Sequence, residues 1–453
     1  MTDRNSVQRP FDPGALHGLQ ERAGRVLEEA KRAGATDAEV GISASQGLSV
    51  SVRMDQVETL EFHRDRGISV TVFMGQQKGT ASSSDDSDDS IRRTVEAACA
   101  IARHTGADPC AGLAEPSQLA TEFPDLDLFH PWALTSEQAI EQAQVCERVG
   151  RSDPRIVNSD GASLSTGSSL RVYANSNGFM AGYPSSHHSR SCVLVAAQQD
   201  GAMQRDYWFD SRRDPARLLS AEEIGEEARK RTLARLGAVR PATGDMPVLF
   251  SPRTASSLLG HFAAAINGGS LYRNASFLKG AIGEALFPSW VRIHEQPRLP
   301  GMAGSAAWDQ DGLPTRNQDF VRDGVLQGYS LGMYAARRLG LQATGNGGGP
   351  RNLTIDSSGE DLPALLKKMG RGILVTEVMG PGVNIVSGDY SRGAAGFMVE
   401  DGVITAPLEE FTIAGHLRDM FTAIEAAGSD IDDRGNIQVG SLLVGQMRVA
   451  GSG

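Results

Sequence analysis

Hydrophobic and polar positions alternate with two different periods along the first part of the chain. Apolar residues recur at helical spacing between residues 14 and 33, and Gly34 follows as a stop signal. Strand-like alternation comes next, as in residues 48–53, where Leu and Val alternate with Ser and Arg. Helical periodicity returns after the acidic stretch at residues 82–90. The order helix, strands, helix predicts an α+β module, which we assign to residues 1–108.

The acidic stretch, SSSDDSDDS, has two interpretations. Its aspartates resemble a calcium loop, but the glycine and the distal glutamate of an EF-hand are missing. A helical pattern starts directly after it, and acidic residues stabilise the positive end of a helix. The sequence therefore favours a helix N-cap here.

A second α+β module is predicted over residues 109–238. It begins with a proline-containing loop and continues with a helix and several strands. Asn177-Gly178 between two strand patterns is a hairpin signal, and Ser220-x-x-Glu223 is a capping box that opens a helix. We predict a linker at residues 239–247.

Residues 239–453 are predicted to form a glycine-rich, mainly β domain with a few helices. Strand patterns dominate after residue 370, and Asp401-Gly402 predicts a hairpin between two of them. Glycine accounts for 52 of the 453 residues, above the usual share of ~7%, which agrees with many turns. The predicted fold class is α+β, with N-terminal modules built on short sheets.

Charge and hydropathy exclude several classes of protein. The formal net charge is −11, so the basic excess typical of duplex-binding proteins is missing and we expect no direct nucleic-acid partner. No apolar run approaches the ~18 residues of a membrane span. The first residues lack the apolar core of a secretory signal, and the four cysteines form no CxxC pair, so we expect a cytoplasmic protein with reduced thiols.

Metal-ligand patterns are missing from the carboxyl half. There is no HExxH motif among the nine histidines. Only His187 and His188 are adjacent, and neighbouring residues of a strand point to opposite faces. No cysteine follows Cys192. We therefore expect no zinc site in this chain.

Two other motifs invite a chemical interpretation. His416 near Glu409 and Glu410 suggests a dyad for an autonomous hydrolase, but no G-x-S-x-G elbow accompanies it, and the sequence favours a surface histidine after a strand. The run GNGGGP at residues 345–350 lacks the G-K-[ST] ending of a phosphate-binding loop. It is predicted to be a flexible loop that borders a cleft.

The segment Gly388–Gly396, GDYSRGAAG, places polar residues on a turn between glycines. Glycines allow another backbone to approach closely, which suits a peptide laid along a strand edge. A tight bend in a sheet is the structural alternative. The candidate binding residues here are Gly388, Asp389, Ser391 and Arg392.

Three stretches carry a family resemblance. The block Gly382–Phe421 resembles the signature of the PmbA/TldE branch of the TldD/PmbA metallopeptidase family, also called modulators of DNA gyrase. The stretch Ser257–Leu278 and the ending GSLLVGQMRVAGS are similar to that family as well. The resemblance extends over nearly the whole chain.

The resemblance implies a subunit without zinc. In the TldD branch a helix carries HExxxH and a later cysteine completes the zinc site. Matching the region that ends at Arg273 places this motif over Gly260, His261 and Ala265, which are not a ligand set. Zinc is then expected in a TldD-like partner and no cofactor in this chain.

The implied function is therefore that of one subunit of a heteromeric peptidase. Its implied substrates are unstructured peptides, such as leader segments and antitoxins, with Arg273 and the residues of the Gly388–Arg392 turn as candidate contacts. The alternative is a non-catalytic homodimeric peptide-binding or scaffold protein, and a homodimer is also expected as a possible state of the isolated chain.

Overall fold

The structure is a computed structural model that describes residue 11 and residues 14–451. The expectation that the chain begins without a secretory signal concerns residues 1–10, which lie outside the described residues. The helices are α1 Ala15–Arg32, α2 Asp88–His104, α3 Ser136–Gly150, α4 Ala221–Ala234, α5 Pro252–Ala265, α6 Gly268–Tyr272, α7 Met333–Leu339, α8 Leu362–Met369 and α9 Leu417–Thr422.

The strands are more numerous and fall into three sheets. The first six are β1 Asp37–Arg53, β2 Gln56–Met74, β3 Gln77–Ser83, β4 Ile156–Asn175, β5 Met180–Ala197 and β6 Met203–Arg212. The others are β7 Gly244–Phe250, β8 Ile293–Glu295, β9 Gln318–Arg322, β10 Val325–Leu326, β11 Leu353–Ile355, β12 Gly372–Met379, β13 Val383–Asn384, β14 Asp389–Glu400, β15 Val403–His416, β16 Ile424–Ala427, β17 Ile437–Gln438 and β18 Leu442–Ala450.

The amino-terminal half is one six-stranded antiparallel sheet in the order β3-β2-β1-β4-β5-β6. Along β1, alternate residues from Ala38 to Val52 are buried, with the exception of the half-buried Gln46, as period-2 patterning requires. Helices α1 and α2 cover the first part of that face, and α3 covers the part formed by Leu48, Val50 and Val52. The four amino-terminal helices therefore shield one face of the sheet, with α4 packed beside α3.

The opposite face of the sheet is lined by small polar side chains. Three serine pairs bridge neighbouring strands at 2.8–2.9 Å: Ser49–Ser165, Ser163–Ser191 and Ser169–Ser185. The carboxyl half covers one end of this face, where Trp308 packs against Phe179 and Tyr183.

The carboxyl half is built around a closed barrel. Its strands follow the order β12-β7-β18-β15-β14, and pairing of β12 with β14 closes the circle. Strand β13 extends β14, and β16 pairs with β18. A separate sheet in the order β10-β9-β8-β11-β17 packs beside the barrel, and α5 lies in the main core between them. This arrangement fixes the position of α5, the helix that carries the degenerate motif.

The glycine run at residues 345–350 is not the flexible loop that the sequence predicted. Gly345, Asn346 and Gly347 are buried. The Gly347 N–H donates to the buried Asp309 carboxylate at 2.7 Å, and the Asn346 amide donates to Glu295 at 2.7 Å. These two acids hold the loop in place, and a carboxylate occupies the Gly347 N–H, where a phosphate would have to bind.

The α+β fold class is confirmed, with one difference in the sheets. Strands β1, β2, β4 and β5 have 17 to 20 residues, and β1 pairs with β4 across the predicted boundary at residue 108. The two amino-terminal modules thus share one long-stranded sheet, and the divisions at residues 108 and 238 stay proposals about folding units. Among the helices that the structure describes, none has the length and apolarity to cross a membrane.

Candidate functional site

Helix α5 presents the degenerate motif on a buried element. Pro252 at its first turn presets the backbone for a helix, and Ser251 precedes it as the N-cap. Leu258 and Phe262 bury one face of α5 in the main core, together with Ala265. Gly260 and His261 lie on the half-buried side. The three motif positions therefore offer a hydrogen, an imidazole and a methyl group.

His261 faces β14. Its ring meets the Tyr390 ring edge-on, with 6.0 Å between centroids. The His261 Nε2 atom is buried and has no hydrogen-bond partner among the described residues. Burial, assisted by the positive charge of Arg392, lowers the pKa of His261 below its usual value. At neutral pH this side chain is therefore an uncharged imidazole.

The residues around α5 do not fit a zinc ion. A zinc site needs three or more nitrogen, sulfur or carboxylate donors in tetrahedral reach. Among the described residues, no group of three or more His, Cys, Asp or Glu side chains is placed to hold a metal. His261 is the single donor of the motif, and the cation beside it is Arg392.

The strand edge predicted to accept a peptide at Gly388–Gly396 is already paired, so that interpretation is wrong. Strand β14 pairs with β15 along its length. Its other side is occupied by β13 at Tyr390 and by β12 from Gly393 onwards, and between them Ser391 N–H donates to the Gly382 carbonyl at 2.6 Å. A substrate backbone finds no free edge there.

The predicted contact residues on β14 differ in accessibility. Asp389 and Ser391 are exposed and Arg392 is half-buried, with its Nε donating to the Met379 carbonyl at 3.0 Å. Gly388 is buried and has φ +92°. Asp389, Ser391 and Arg392 remain predicted substrate contacts through their side chains, whereas Gly388 is buried and has no side chain for such a contact.

Arg273 is not joined to this group. It is exposed at the carboxyl end of α6, and its guanidinium lies 5.3 Å from the centroid of the Tyr272 ring. His261 contacts β14 through Tyr390 and is influenced by the charge of Arg392, whereas Arg273 packs over Tyr272.

His416 does not form the dyad with Glu409 or Glu410 that the sequence offered as the less favoured interpretation. His416 Nε2 lies 2.8 Å from the Ser387 carbonyl, which can only accept, and Nδ1 accepts the Arg418 N–H at 3.2 Å. Both ring nitrogens are thus used to cap α9 and to hold the turn before β14. Glu409 pairs instead with Gln204, and Glu410 with Arg240.

Sequence reasoning missed Tyr390. Its side chain is 3% exposed, and burial raises its pKa to about 12. The only sequence signal for its burial was its position between two polar residues of a predicted strand. Because side chains alternate between the two faces of a strand, Tyr390 points to the interior. The assembled group of Tyr390, His261 and Arg392 supplies one neutral imidazole, one phenol and one cation, and contains no activated nucleophile.

Comparison with known proteins agrees with this architecture. Family models described as PmbA/TldA metallopeptidase domain 1, central domain and C-terminal domain match residues 38–102, 129–236 and 243–451. "Metalloprotease PmbA" of Escherichia coli O157:H7 is 43% identical over 96% of this chain and 96% of its own length. A "Metalloprotease TldD homolog" of Haemophilus influenzae is 26% identical over 78% of this chain and 77% of its own.

Solved structures show the same fold. The crystal structure of a modulator of DNA gyrase from Bacteroides thetaiotaomicron superposes with a TM-score of 0.91 at 26% identity, covering 96% of this chain and 99% of that one. TldE from Thermococcus kodakarensis gives a TM-score of 0.83 at 19% identity, over 95% of this chain and 100% of that one. The matched domains span most of the sequence in the order of the three family models, and this chain belongs to the PmbA/TldA metallopeptidase family.

Proposed function

We propose that this chain is the zinc-free, TldE/PmbA-like subunit of a heteromeric metallopeptidase that cleaves unstructured peptides. A TldD-like partner supplies the zinc ion. This chain completes the site and contributes contacts to the substrate. The cytoplasm is the proposed location.

One observation carries the proposal: α5 is kept in the family fold but offers a single imidazole. Its ring meets the Tyr390 ring edge-on, and the nearby charge of Arg392 disfavours a second positive charge on the imidazole. The fold matches metalloproteases along its length, but α5 is unsuited to bind zinc. This combination favours an accessory subunit over a catalytic one.

The substrate class follows from how a peptide must present itself. A metal-activated water attacks a peptide carbonyl that is held in an extended backbone. Folded chains hide their carbonyls in helices and sheets, whereas leader segments and antitoxin tails expose them. Asp389, Ser391 and Arg392 are the proposed side-chain contacts, and they provide one carboxylate, one hydroxyl and one guanidinium.

The test compares the isolated chain with the chain co-expressed with a TldD-like subunit. We expect less than stoichiometric zinc and no cleavage of a fluorescently labelled unfolded peptide by the chain alone. Cleavage should appear with the partner and vanish on chelation. One tightly bound zinc per isolated chain, together with chelator-sensitive cleavage, would refute the proposal.

Matched variants separate the two subunits. His261→Ala in this chain should leave the zinc content of the complex unchanged, because His261 is not a ligand. Replacing the glutamate of the partner's HExxxH motif with Gln should abolish cleavage. If cell extract shows this chain only as a dimer of itself, with no TldD-like subunit attached, the homodimeric scaffold replaces the proposed function.

A further inference from the structure

A cavity of about 230 Å³ lies between the six-stranded sheet and the carboxyl half of the chain. The sheet side contributes His187 of β5 and residues at and after the end of β6, and the carboxyl half contributes residues 301–303 and Asp433. Four arginines line this cavity, called the arginine cavity here: Arg212, Arg213, Arg217 and Arg434. Guanidinium groups at this density favour a negatively charged ligand, provided that they are not already neutralised by carboxylates.

Two of the four arginines are neutralised within the chain. Arg212 lies between Asp210 and Asp433, at 3.1 and 2.6 Å. Arg434 forms its forked pair with Asp432 at 2.5 Å. These two guanidinium groups therefore have carboxylate partners of their own and need no further anion.

Arg213 has no such partner. It is half-buried, and its three hydrogen bonds all go to main-chain carbonyls, those of Met302, Ser186 and Ala303, at 3.1, 3.3 and 2.7 Å. Among the described residues, no carboxylate forms an ion pair with it, and burial lowers its pKa. The carbonyls hold the guanidinium in place but leave its charge uncompensated, which is costly away from water. One N–H on each terminal nitrogen of Arg213 remains for a ligand.

The other groups of the cavity suit the same ligand. Arg217 is exposed, and its side chain makes no hydrogen bond or ion pair within the part of the chain that the structure describes. His187 Nε2 lies 3.3 Å from the Ser211 hydroxyl. Desolvation, assisted by the positive charge of Arg213, lowers the pKa of His187, so its ring is neutral at pH 7. An anion beside Arg213 would thus meet a second cation, an imidazole and a hydroxyl.

Three carboxylates also line the cavity, and each has a partner of its own. Asp433 is paired with Arg212, as described above. Asp127 has a side chain that is 63% exposed and lies 3.0 Å from the His130 ring. The Asp214 carboxylate accepts the Ala216 N–H at 2.9 Å. The unpaired charges that remain are therefore the guanidinium groups and not the acids.

We propose that the arginine cavity binds an oxyanion, either a carboxylate or a phosphate group, through Arg213 and Arg217, with His187 and Ser211 as neutral hydrogen-bond partners. Paired guanidinium N–H groups match the two oxygens of such a group. Pockets for whole small molecules measure about 300–1,000 Å³, so this cavity suits a single charged group. The inference does not rest on the proposed function, because the chain alone is expected to bind the anion.

NMR titration of the full chain at pH 7, without any partner subunit, tests the site. The probes are inorganic phosphate and an acetylated tripeptide with a free terminal carboxylate, and the same tripeptide with a terminal amide is the matched control. The His187 ring resonances should shift saturably with phosphate, with the carboxylate peptide or with both, and not with the amide. The His261 resonances should not move.

The two probes distinguish the sources of the anion. A response to phosphate alone assigns the cavity to a free phosphate or a phosphate ester, and a response to the carboxylate peptide alone assigns it to a peptide terminus. No saturable shift of His187 with either probe overturns the proposal. So does an equal response to the carboxylate and amide peptides without a response to phosphate.

Arginine variants show which groups bind. Arg213→Gln should weaken binding at least tenfold, because a charge-assisted pair of hydrogen bonds is lost. Since Arg213 also joins carbonyls of both halves, Arg217→Gln is the second variant, and its exposed, unpaired side chain can be replaced without loss of the fold. It should weaken binding at least threefold. Arg64→Gln is the matched control, because Arg64 is an exposed arginine on β2, which three strands separate from β6.

Unchanged affinity in the folded Arg217→Gln variant overturns the proposal, as does an equal loss of affinity in Arg64→Gln, which would mean that the anion binds through general surface charge. Failure of the proposed function is measured separately, by peptide cleavage in the presence of a TldD-like subunit.

Discussion

At the scale of single residues, the environment of His261 decides what α5 can do. The Tyr390 ring and burial remove water from the imidazole, and Arg392 contributes a positive charge nearby. Both effects disfavour the imidazolium. A neutral ring without a second donor beside it can exchange one hydrogen bond with a ligand but cannot form a metal cage.

The first prediction concerns the pKa of His261. Arg392→Gln removes the neighbouring charge, so the pKa of His261 should rise toward its usual value of about 6.5. Proton-detected NMR of the histidine ring resonances across pH 4–8 measures it. Arg273→Gln is the control, because Arg273 lies over Tyr272 and should leave the titration unchanged. An unmoved pKa in the Arg392 variant would show that burial alone acts on the ring.

A second titrating residue lies under the glycine loop. Asp309 is 2% exposed and accepts three main-chain N–H groups, from Asp311, Leu313 and Gly347. Burial, with a smaller contribution from the charge of Asp311, raises the pKa of Asp309 to about 7, and the three hydrogen bonds only partly oppose this. The folded protein therefore holds a proton that the unfolded chain has already released at pH 5–7.

The second prediction follows from that difference. A raised carboxyl pKa contributes stability that is present below the unfolded value of about 3.9 and is lost as pH rises through 7. Urea unfolding at pH 5, 6, 7 and 8 should show this loss, with a slope from one group of at most about 1.4 kcal/mol per pH unit. The Asp309→Asn variant should have a lower free energy of unfolding, and that free energy should change less between pH 5 and pH 8. The same slope in both proteins would mean that Asp309 is ionised in the fold throughout.

Sequence reasoning located the motif residues but not their neighbours. His261 was identified from its place in a degenerate motif, whereas Tyr390 and Arg392 reach it across more than a hundred residues of chain. The less favoured dyad of His416 fails for the same reason. Proximity in sequence suggested Glu409, but a strand directs successive residues to opposite faces and carries them apart.

At the scale of elements, local signals predicted the ends of helices and hairpins well. Ser87 caps α2 through the Ser90 N–H, so the acidic stretch is the N-cap that the sequence favoured. The capping box of Ser220 and Glu223 is present. Asp401 and Gly402 both have positive φ, as a type I′ hairpin turn requires. The length of the strands was not predicted. A strand ends where its pairing partner ends, and local alternation of polar and apolar residues does not reveal that point.

The third prediction concerns closure of the barrel. At Gly396 the register of β14 shifts against both β12 and β15. A Cβ at Gly396 would lie 2.0 Å from the Leu374 carbonyl oxygen, so β12 sits too close for any side chain. Gly396→Ala should therefore open the β12–β14 contact and lower the free energy of unfolding by roughly 3 kcal/mol.

Gly393→Ala is the matched control on the same strand. A Cβ there would meet its nearest atom at 3.6 Å, an ordinary contact, and should change stability by less than about 1 kcal/mol. Chemical denaturation of both variants measures the difference. Similar values for the two would show that the barrel adjusts to the added methyl group.

At the scale of the whole molecule, arginine side chains connect the amino-terminal sheet to the carboxyl half of the chain, which contains the barrel. Arg434, in the loop between β16 and β17, lies 4.5 Å from the Trp208 ring centroid and 4.4 Å from that of Phe209. Its Nη1 donates to the Phe209 carbonyl at 2.5 Å, and its other nitrogens form a forked pair with Asp432. Arg212 adds a second link to Asp433 at 2.6 Å. A shared interface of this kind keeps α5 in a fixed position relative to the large sheet.

The last prediction tests whether Arg434 couples the two halves. Its side chain is 11% exposed, so Arg434→Ala leaves the Asp432 carboxylate without its guanidinium partner and should cost roughly 3 kcal/mol. Arg434→Lys should not restore it, because an ammonium can neither stack on both rings nor form the fork. Arg448→Ala removes an exposed ion pair with Asp245 and should cost under about 1 kcal/mol.

Calorimetry measures the stability of all three variants, and Trp208 fluorescence reports on the interface. Equal effects of the Arg434 and Arg448 variants would mean that apolar packing around Trp308, and not this guanidinium, holds the sheet against the barrel.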